Sequence, residues 1–525
     1  VVNATNFIRR LSIAVALAAG FATPGTARGA EPATARGVVF EDRNGNGQRD
    51  DGEPGVSGVA VSNQEQVVLT DAEGRYTLPV TDDTILFVTK PSGYRVPLSR
   101  NNLPQFYYIH KPSGSPKLYY PGVAPTGPLP ESIDFPMVAQ TEPDHFKIIA
   151  LADTQPETSQ ELEYVRDDVF NELVGTDAAF AVTLGDIVSE QLWLYDGYKD
   201  YAAKIGVPFY NVIGNHDMNY DAEGDRDSDE TFLRQFGPNY YSWDYAQVHF
   251  VALDTIVWLG PGHGSGHYQE AIEPRELTWL ANDLKVVPRD KLVVLLMHAP
   301  LATCRSEPIT GTKILFEILK DRPRVLALAG HTHLQEHVFL GPGHGWNGEG
   351  DFHEVICATV CGSWWSGLKD VRGIPVADQR EGTPNGYVTI EFDGTDYTST
   401  YKAAGFDRNY QMRIYPPGGV DLSEEGKKKL LVNVFDGSER SVVEYSLDRA
   451  PFQPMIRTPQ LDPLSVRMFS GVNATGKSWV RATVCPHMWE AMLPERPARG
   501  THVVTVRVRD HYGRTFEQSR IFRFR

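Results

Sequence analysis

Five apolar runs in this chain each end in a short block of residues able to bind metal. Phe146–Leu151 leads into Ala152-Asp153-Thr154-Gln155, and Ala179–Leu184 leads into Gly185-Asp186. Phe209–Ile213 leads into Gly214-Asn215-His216-Asp217, Leu292–Met297 into His298-Ala299-Pro300, and Val325–Ala329 into Gly330-His331-Thr332-His333. A sixth run, His249–Leu253, leads into Asp254. Between the runs, Ser159–Leu173 and Glu273–Leu284 carry helical spacing, the former with an acidic first turn. Apolar strands alternating with such stretches point to a layered α/β core. In such cores ligands bind at the carboxyl ends of the strands, which is where these blocks fall.

The donor types narrow the chemistry. Asp153 and Asp186 are hard oxygen donors, Asn215 offers an amide oxygen, and His298, His331 and His333 supply borderline nitrogen. Mixed nitrogen and oxygen ligation suits Mn, Fe, Zn or Co better than calcium or a thiolate-seeking ion. Two such ions about 3.5–4 Å apart activate a bridging hydroxide and clamp a phosphoryl group in line. His216 follows Asn215 directly, so it is placed over a metal pair without being a ligand, and Asp217 is placed to orient it. A cationic His216 then stabilises the transition state or protonates the leaving oxygen. Any one block alone reads as a turn or loop; their joint order after five strands specifies a site.

The pattern D-x-H, G-D, G-N-H-[DE], H and G-H-x-H is met here as D-T-Q, G-D, G-N-H-D, H and G-H-T-H. On these motifs residues 146–400 resemble the calcineurin-like metallophosphoesterases. The resemblance implies a four-layer α/β/β/α core, with two mixed sheets face to face and helices outside. It implies that Asp153, Asp186 and His333 hold one divalent metal and that Asp186, Asn215, His298 and His331 hold the second. His216 and Asp217 take the catalytic-pair positions. Gln155 stands where the family usually has His. A glutamine oxygen is a harder, weaker neutral ligand than imidazole. The first metal is therefore expected to bind less tightly, with tolerance for Mn or Mg.

A length of 525 residues suggests about three domains. Residues 35–140 read as a small β-sandwich, with a hairpin signal at Thr70–Tyr76. The Pro, Gly and Ser of Pro112–Pro136 suggest an extended wrap or linker. The α/β region spans 145–405. Residues 415–525 return to β patterns at Leu430–Phe435, Val442–Ser446, Ser478–Ala482 and His502–Val508, suggesting a second sandwich. The layout resembles that of bacterial exported phosphoesterases with N- and C-terminal accessory domains.

Within the first β region, Asp42, Asn44, Asn46, Gln48, Asp50 and Glu53 occupy the ligand positions of a twelve-residue calcium loop, with Gly47 at the sharp turn. The surroundings look like B-type repeats of bacterial surface adhesins, in which such a calcium ion is structural. Trp364 and Trp365 in a Gly-flanked loop, with Asn385 beyond them, are candidates for a wall of the substrate cleft. Arg305 is a candidate for a phosphate oxygen. His263 and His267, in a Gly-rich loop, read as merely exposed.

The net charge of −17 argues against nucleic acid as the main partner, since backbone binding needs a basic face. Arg9-Arg10, the apolar Leu11–Ala22 and the small residues Gly25–Ala27 read as a signal peptide within residues 1–30. The expected protein is thus exported, periplasmic or secreted, with no membrane span. Of Cys304, Cys357, Cys361 and Cys485, Cys357 and Cys361 are poor disulfide partners if their segment is a strand. Four residues of strand span about 13 Å, against roughly 6 Å between bridged Cα atoms. The expected activity is hydrolysis of phosphomono- or phosphodiesters of a small molecule or glycan. The alternative is a weakly catalytic binding protein that kept the fold.

Overall fold

The computed structural model describes residues 33–264, 266–303, 306–417, 429–469, 477–493 and 500–524. The expected signal peptide, Cys304 and Arg305 lie outside these residues. So does any disulfide made by Cys304; Cys357 and Cys361 are separate buried thiols.

Two mixed sheets form the centre. The first runs in the order Phe209–Val212, Phe180–Leu184, His145–Leu151, Gly386–Asp393, Asp396–Ala403. Its first three strands are parallel and its last two antiparallel. The second runs Tyr241–Tyr245, Val248–Ala252, Leu292–Leu296, Val325–Ala329, Phe352–Ile356, Glu336–Leu340, with four central parallel strands between antiparallel edges. The strands alternate as a doubly covered sheet requires. Phe146, Ile148 and Ala150 join Phe250 and Phe392 in the core between the sheets. Ile149 and Leu151 face the other way, onto Leu162, Val165 and Tyr195 of the helical layer. Helices Pro274–Val286 and Thr312–Leu319 cover the second sheet through Leu277, Leu280, Leu315 and Phe316. The result is the expected four-layer α/β/β/α core.

The helix expected over Ser159–Leu173 forms with one change. Thr158 caps it by accepting from the Glu161 amide, but Arg166–Phe170 is a π turn. The wider turn accompanies a buried Asp168 that accepts from Arg372 and Asn385.

Two four-stranded sheets lie N-terminal to the core. They are Arg75–Val80, Ala33–Glu41, Phe135–Ala139, Tyr94–Arg95 and Val67–Leu69, Ala60–Ser62, Thr84–Val88, Tyr107–His110. Val39, Leu78 and Met137 of one meet Val61, Leu86 and Val88 of the other in a shared apolar cluster. The stretch from Pro112 crosses extended onto the core, where the Tyr120 carbonyl accepts from Asn219 and Thr231. After the core, Met412–Tyr415, Lys429–Val434, Met488–Met492, Ile456–Arg457 form one sheet. Gln453–Pro454, Val442–Leu447, Gly500–Arg509, Thr515–Phe524 form its partner. Ser478–Ala482, expected to be a strand, includes a turn closed by the Val480 amide on the Lys477 carbonyl, with Trp479 exposed. Its alternation is that of a loop with one buried anchor, Val480; the pairing strand is Met488–Met492. No helix among the described residues is long and apolar enough to cross a membrane.

Candidate metal centre

All five blocks come together where the parallel strands of both sheets end. An isolated parallel bridge, Ala152 to Thr359, ties the two sheets at this edge. Backbone bonds then stitch the blocks to one another: Gln155 N to Asp186 O at 3.1 Å, Gly330 N to His298 O at 3.0 Å, Cys361 N to Asp153 O at 3.0 Å. The packing leaves no room for a side chain at Gly330, where a Cβ would meet Asp153 Oδ2 at 2.4 Å.

Five of the expected ligands are held in left-handed backbone conformation: Asp153 (φ 45°), Gln155 (43°), Asp186 (50°), His331 (69°) and His333 (54°). Each such non-glycine residue costs about 1–2 kcal/mol. Strain of this kind persists where the surroundings over-determine a functional geometry.

The three histidines share one wiring. His298 Nδ1 donates to the Leu184 carbonyl at 2.8 Å, and His333 Nδ1 donates to the Gly362 carbonyl at 2.6 Å. His331 Nε2 donates to Glu270 Oε1 at 3.0 Å. Each outer bond fixes the tautomer and turns the other ring nitrogen inward as a lone pair. His298 Nε2 then lies 3.0 Å from Asn215 Oδ1, 3.3 Å from Asp186 Oδ1 and 3.1 Å from His331 Nδ1. Asp186, His298 and His331 place one ligand atom each within 4.8 Å of one another. On the other side, His333 Nε2 is 3.5 Å from Asp153 Oδ1. Asp186 sits between the groups, with Oδ1 toward His298 and Oδ2 3.3 Å from Gln155 Nε2. One proton on His298 cannot serve three acceptors, whereas a cation among them satisfies all of them. The donor set therefore fits the divalent metals that the sequence implies.

Burial disfavours a charge on His298, but Asp186 and Asp153 outweigh it and raise the ring to about 10, a positive charge that a cation among these donors would supply instead. Burial, then the neighbouring Asp186, pushes Asp153 up to about 7. Burial also works against the charge of Asp186, but His298 and His216 outweigh it and hold that carboxyl well below the usual range. Burial drives His333 down to about 3, keeping the ring neutral as a ligand must be.

His216 stands beside the centre. Its backbone N–H donates to Asp186 Oδ1 at 2.9 Å, and its ring Nδ1 is 3.5 Å from Glu190 Oε1. Asp217 does not orient that ring. Its carboxylate accepts from the Gly214 and Ile187 amides and from the Tyr195 hydroxyl, at 2.9, 3.1 and 2.8 Å. It braces the two ligand loops instead, because consecutive residues of a turn point apart. Glu190 is the carboxylate facing His216, and its other oxygen binds His263 Nδ1 at 2.6 Å. His263, expected to be merely exposed, is thereby tied to the site, and its ring packs on Tyr220.

The two tryptophans separate. Trp364 stacks on His333 at 4.0 Å and meets Trp479, from the turn at 478–479, at 4.4 Å. Trp365 is buried, with its indole N–H on the Thr154 carbonyl at 2.9 Å, and is core. Asn385 is not a cleft residue either. It is buried and its amide donates to Asp168 and to the Val360 carbonyl. Glu190, Glu270 and Trp479 were not marked by any sequence motif. Cys361, behind the centre, places its sulfur 3.6 Å from Gln155 Oε1 and 3.7 Å from His333 Nδ1.

In the N-terminal region the 42–53 loop closes on itself. Asp42 accepts from the Gly45 and Gly47 amides, and Asn44 and Asn46 both donate to Asp50 Oδ2. Glu53 accepts from the Arg43 and Asp50 amides. The Gln48 amide donates to Asn46 Oδ1.

Residues 146–335 match the family model described as calcineurin-like phosphoesterase. Residues 43–120 match the model for the N terminal of calcineurin-like phosphoesterase, and residues 354–516 the model for its C terminal. The chain belongs to the calcineurin-like phosphoesterases. This phosphoesterase is 28% identical over 143 residues to a cAMP/cGMP dual specificity phosphodiesterase of Mycobacterium tuberculosis (strain CDC 1551 / Oshkosh). That match spans 26% of this chain and 41% of the relative. A purple acid phosphatase from yellow lupin (Lupinus luteus) seeds aligns with a TM-score of 0.34 and 13% identity, over 71% of this phosphoesterase and 67% of the lupin chain.

Proposed function

We propose that this phosphoesterase hydrolyses phosphate esters, diesters in preference to monoesters, at two divalent metals. Asp153, Gln155 and His333 hold one, Asn215, His298 and His331 hold the other, and Asp186 is shared. The position of Asp186 between the two donor groups is the observation that carries this reading. The bound cations supply Lewis-acid activation of water and offset charge on the phosphoryl oxygens. Mn, Fe, Zn or Co suits the donors, and the amide of Gln155 leaves room for Mg. The diester preference draws on the phosphodiesterase relative.

His216 provides the proton to the leaving oxygen. Burial disfavours its charge, but Asp186 and Glu190 outweigh burial and raise it above an ordinary histidine. A ring held protonated beside the centre suits a general acid. Trp364 and Trp479 supply an apolar wall for the group beyond the phosphate. In the N-terminal region, the 42–53 loop takes a structural calcium ion through Asp42, Asn44, Asn46, Asp50, Glu53 and the Gln48 carbonyl. The pattern of residues 1–30 supports export to a periplasm or the medium.

Hydrolysis of bis-p-nitrophenyl phosphate and p-nitrophenyl phosphate with Mn, Zn or Mg tests the reading against a His216→Ala control. Turnover of the diester that is strongly reduced in the control is expected. Equal background rates in both proteins under every metal would leave only the binding-protein alternative.

A further inference from the structure

His337, His353 and His511 each bring one ring nitrogen within 4.8 Å of the others, outside the strand-end centre. His337 lies on the edge strand of the six-stranded sheet and His353 on its neighbour. Their antiparallel register sets Phe339 opposite His353 and Val355 opposite His337, so the two imidazoles are diagonal neighbours on one face. His511 arrives from the C-terminal region, in the turn between Gly500–Arg509 and Thr515–Phe524.

The outer nitrogen of each ring has an oxygen partner. His337 Nε2 donates to Asp436 Oδ1 at 2.7 Å. His353 Nδ1 is 3.0 Å from the Tyr397 hydroxyl, and His511 Nδ1 is 3.4 Å from the Ser438 hydroxyl. The inner nitrogens have only one another. His337 Nδ1 is 2.9 Å from His353 Nε2, and His511 Nε2 is buried without a hydrogen-bond partner. With the outer positions protonated, three lone pairs converge, as two do for His298 and His331. A proton on His353 Nε2 would serve His337 Nδ1, but it would leave His511 Nε2 still without a partner.

We propose that His337, His353 and His511 bind one structural zinc ion that pins the C-terminal sandwich to the phosphoesterase core. Three neutral imidazoles favour a borderline transition metal over Mg or Ca. Imidazole nitrogens around a tetrahedral zinc sit about 3.3 Å apart at ordinary bond lengths, so the cluster closes with small side-chain adjustments. Asp436 behind His337 supplies the carboxylate–histidine–metal arrangement that orients such a ligand. Arg440 and Arg514 add positive charge nearby, which makes the Asp436 charge necessary for tight binding.

The full chain is loaded with zinc, freed of excess and analysed for total metal. Wild type is expected to hold one equivalent more than His511→Gln, while diester turnover stays within twofold. A second arm uses Asp186→Asn/His298→Ala, which disables the strand-end centre. There, zinc chloride is expected to raise Tm by several degrees and to bind at one equivalent; adding His353→Asn abolishes both. Equal zinc in wild type and His511→Gln overturns the proposal. So does a disabled protein that binds no zinc and shows no shift. If His511→Gln does not fold, the second arm decides alone.

Discussion

Glu270 Oε1 accepts the Nε2–H of His331 at 3.0 Å, so a carboxylate at the end of the short strand Tyr268–Glu270 fixes which nitrogen a histidine on a loop offers to metal. Glu270 is itself exposed, and that bond, first among its neighbours, holds its carboxyl below the usual carboxylate range. Removing an outer partner of this kind typically weakens metal affinity 10–100-fold. Glu270→Ala is therefore expected to weaken one of the two metals about tenfold or more by titration calorimetry, with the fold intact. Affinities equal to wild type at both sites would show that His331 needs no such support.

Glu190, not Asp217, faces the His216 ring, and the two carboxylates should separate on substitution. Glu190→Gln is expected to slow diesters with alkyl leaving groups more than p-nitrophenyl esters, because a poor leaving oxygen depends more on a proton donor. Loss by about tenfold or more for the alkyl ester, with a smaller loss for the activated one, is the signature. Asp217→Asn should instead lower Tm, since its carboxylate joins Ile187, Gly214 and Tyr195 inside the core. An equal loss on both ester classes for Glu190→Gln would remove it from leaving-group protonation.

Trp479 is 55% exposed and touches Trp364 edge-on at 4.4 Å. Its truncation removes substrate contact with little packing. Trp479→Ala is expected to raise KM about three- to tenfold, the worth of about 1 kcal/mol of aromatic contact, with kcat and Tm nearly unchanged. A KM that does not move would take the C-terminal region out of the cleft.

His249 is buried between Asp283, 2.8 Å from Nε2, and Asp244, 2.8 Å from Nδ1. Burial disfavours its charge, yet Asp283 and Asp244 raise it from 6.5 to about 9. A histidine raised on folding stabilises fully below its unfolded value, and that stability is lost as pH rises through the folded value. The ceiling is about 3 kcal/mol, since each unit is worth about 1.4 kcal/mol. Urea unfolding between pH 6 and 9.5 should show wild type losing stability across this window and His249→Asn losing less. Parallel pH profiles would show that the histidine stays neutral.

The strand-end centre was legible because each ligand follows its own strand, so a local pattern of apolar run and donor reports a position in space. The same logic gave the four-layer core and the two flanking sandwiches. What failed was side-chain direction and long-range supply. Asp217 next to His216 in sequence points the opposite way in the turn, and Trp365 beside Trp364 is buried while its neighbour faces the centre. Glu270 is 61 residues from His331, and no spacing rule connects them. The His337, His353 and His511 group has the same character: two strands and a distant turn build it, and no single segment displays a metal motif.

Gln155 keeps its backbone amide on Asp186 and its side-chain nitrogen 3.3 Å from Asp186 Oδ2, while its oxygen meets the Cys361 sulfur. As a ligand the amide turns over, presenting Oε1 to the metal and Nε2 to the sulfur, with no backbone change. An imidazole at this position offers a stronger nitrogen donor to zinc than the neutral amide. Gln155→His is thus expected to tighten the metal shared by Asp153 and His333 about tenfold, or about 1.4 kcal/mol. The second metal should change little, because Gln155 touches only the Asp186 side of that group. Zinc titration of the two sites would show one isotherm shifting and the other fixed. Affinity for both metals unchanged from wild type would remove Gln155 from the ligand set, leaving Asp153, Asp186 and His333 to hold the first metal alone.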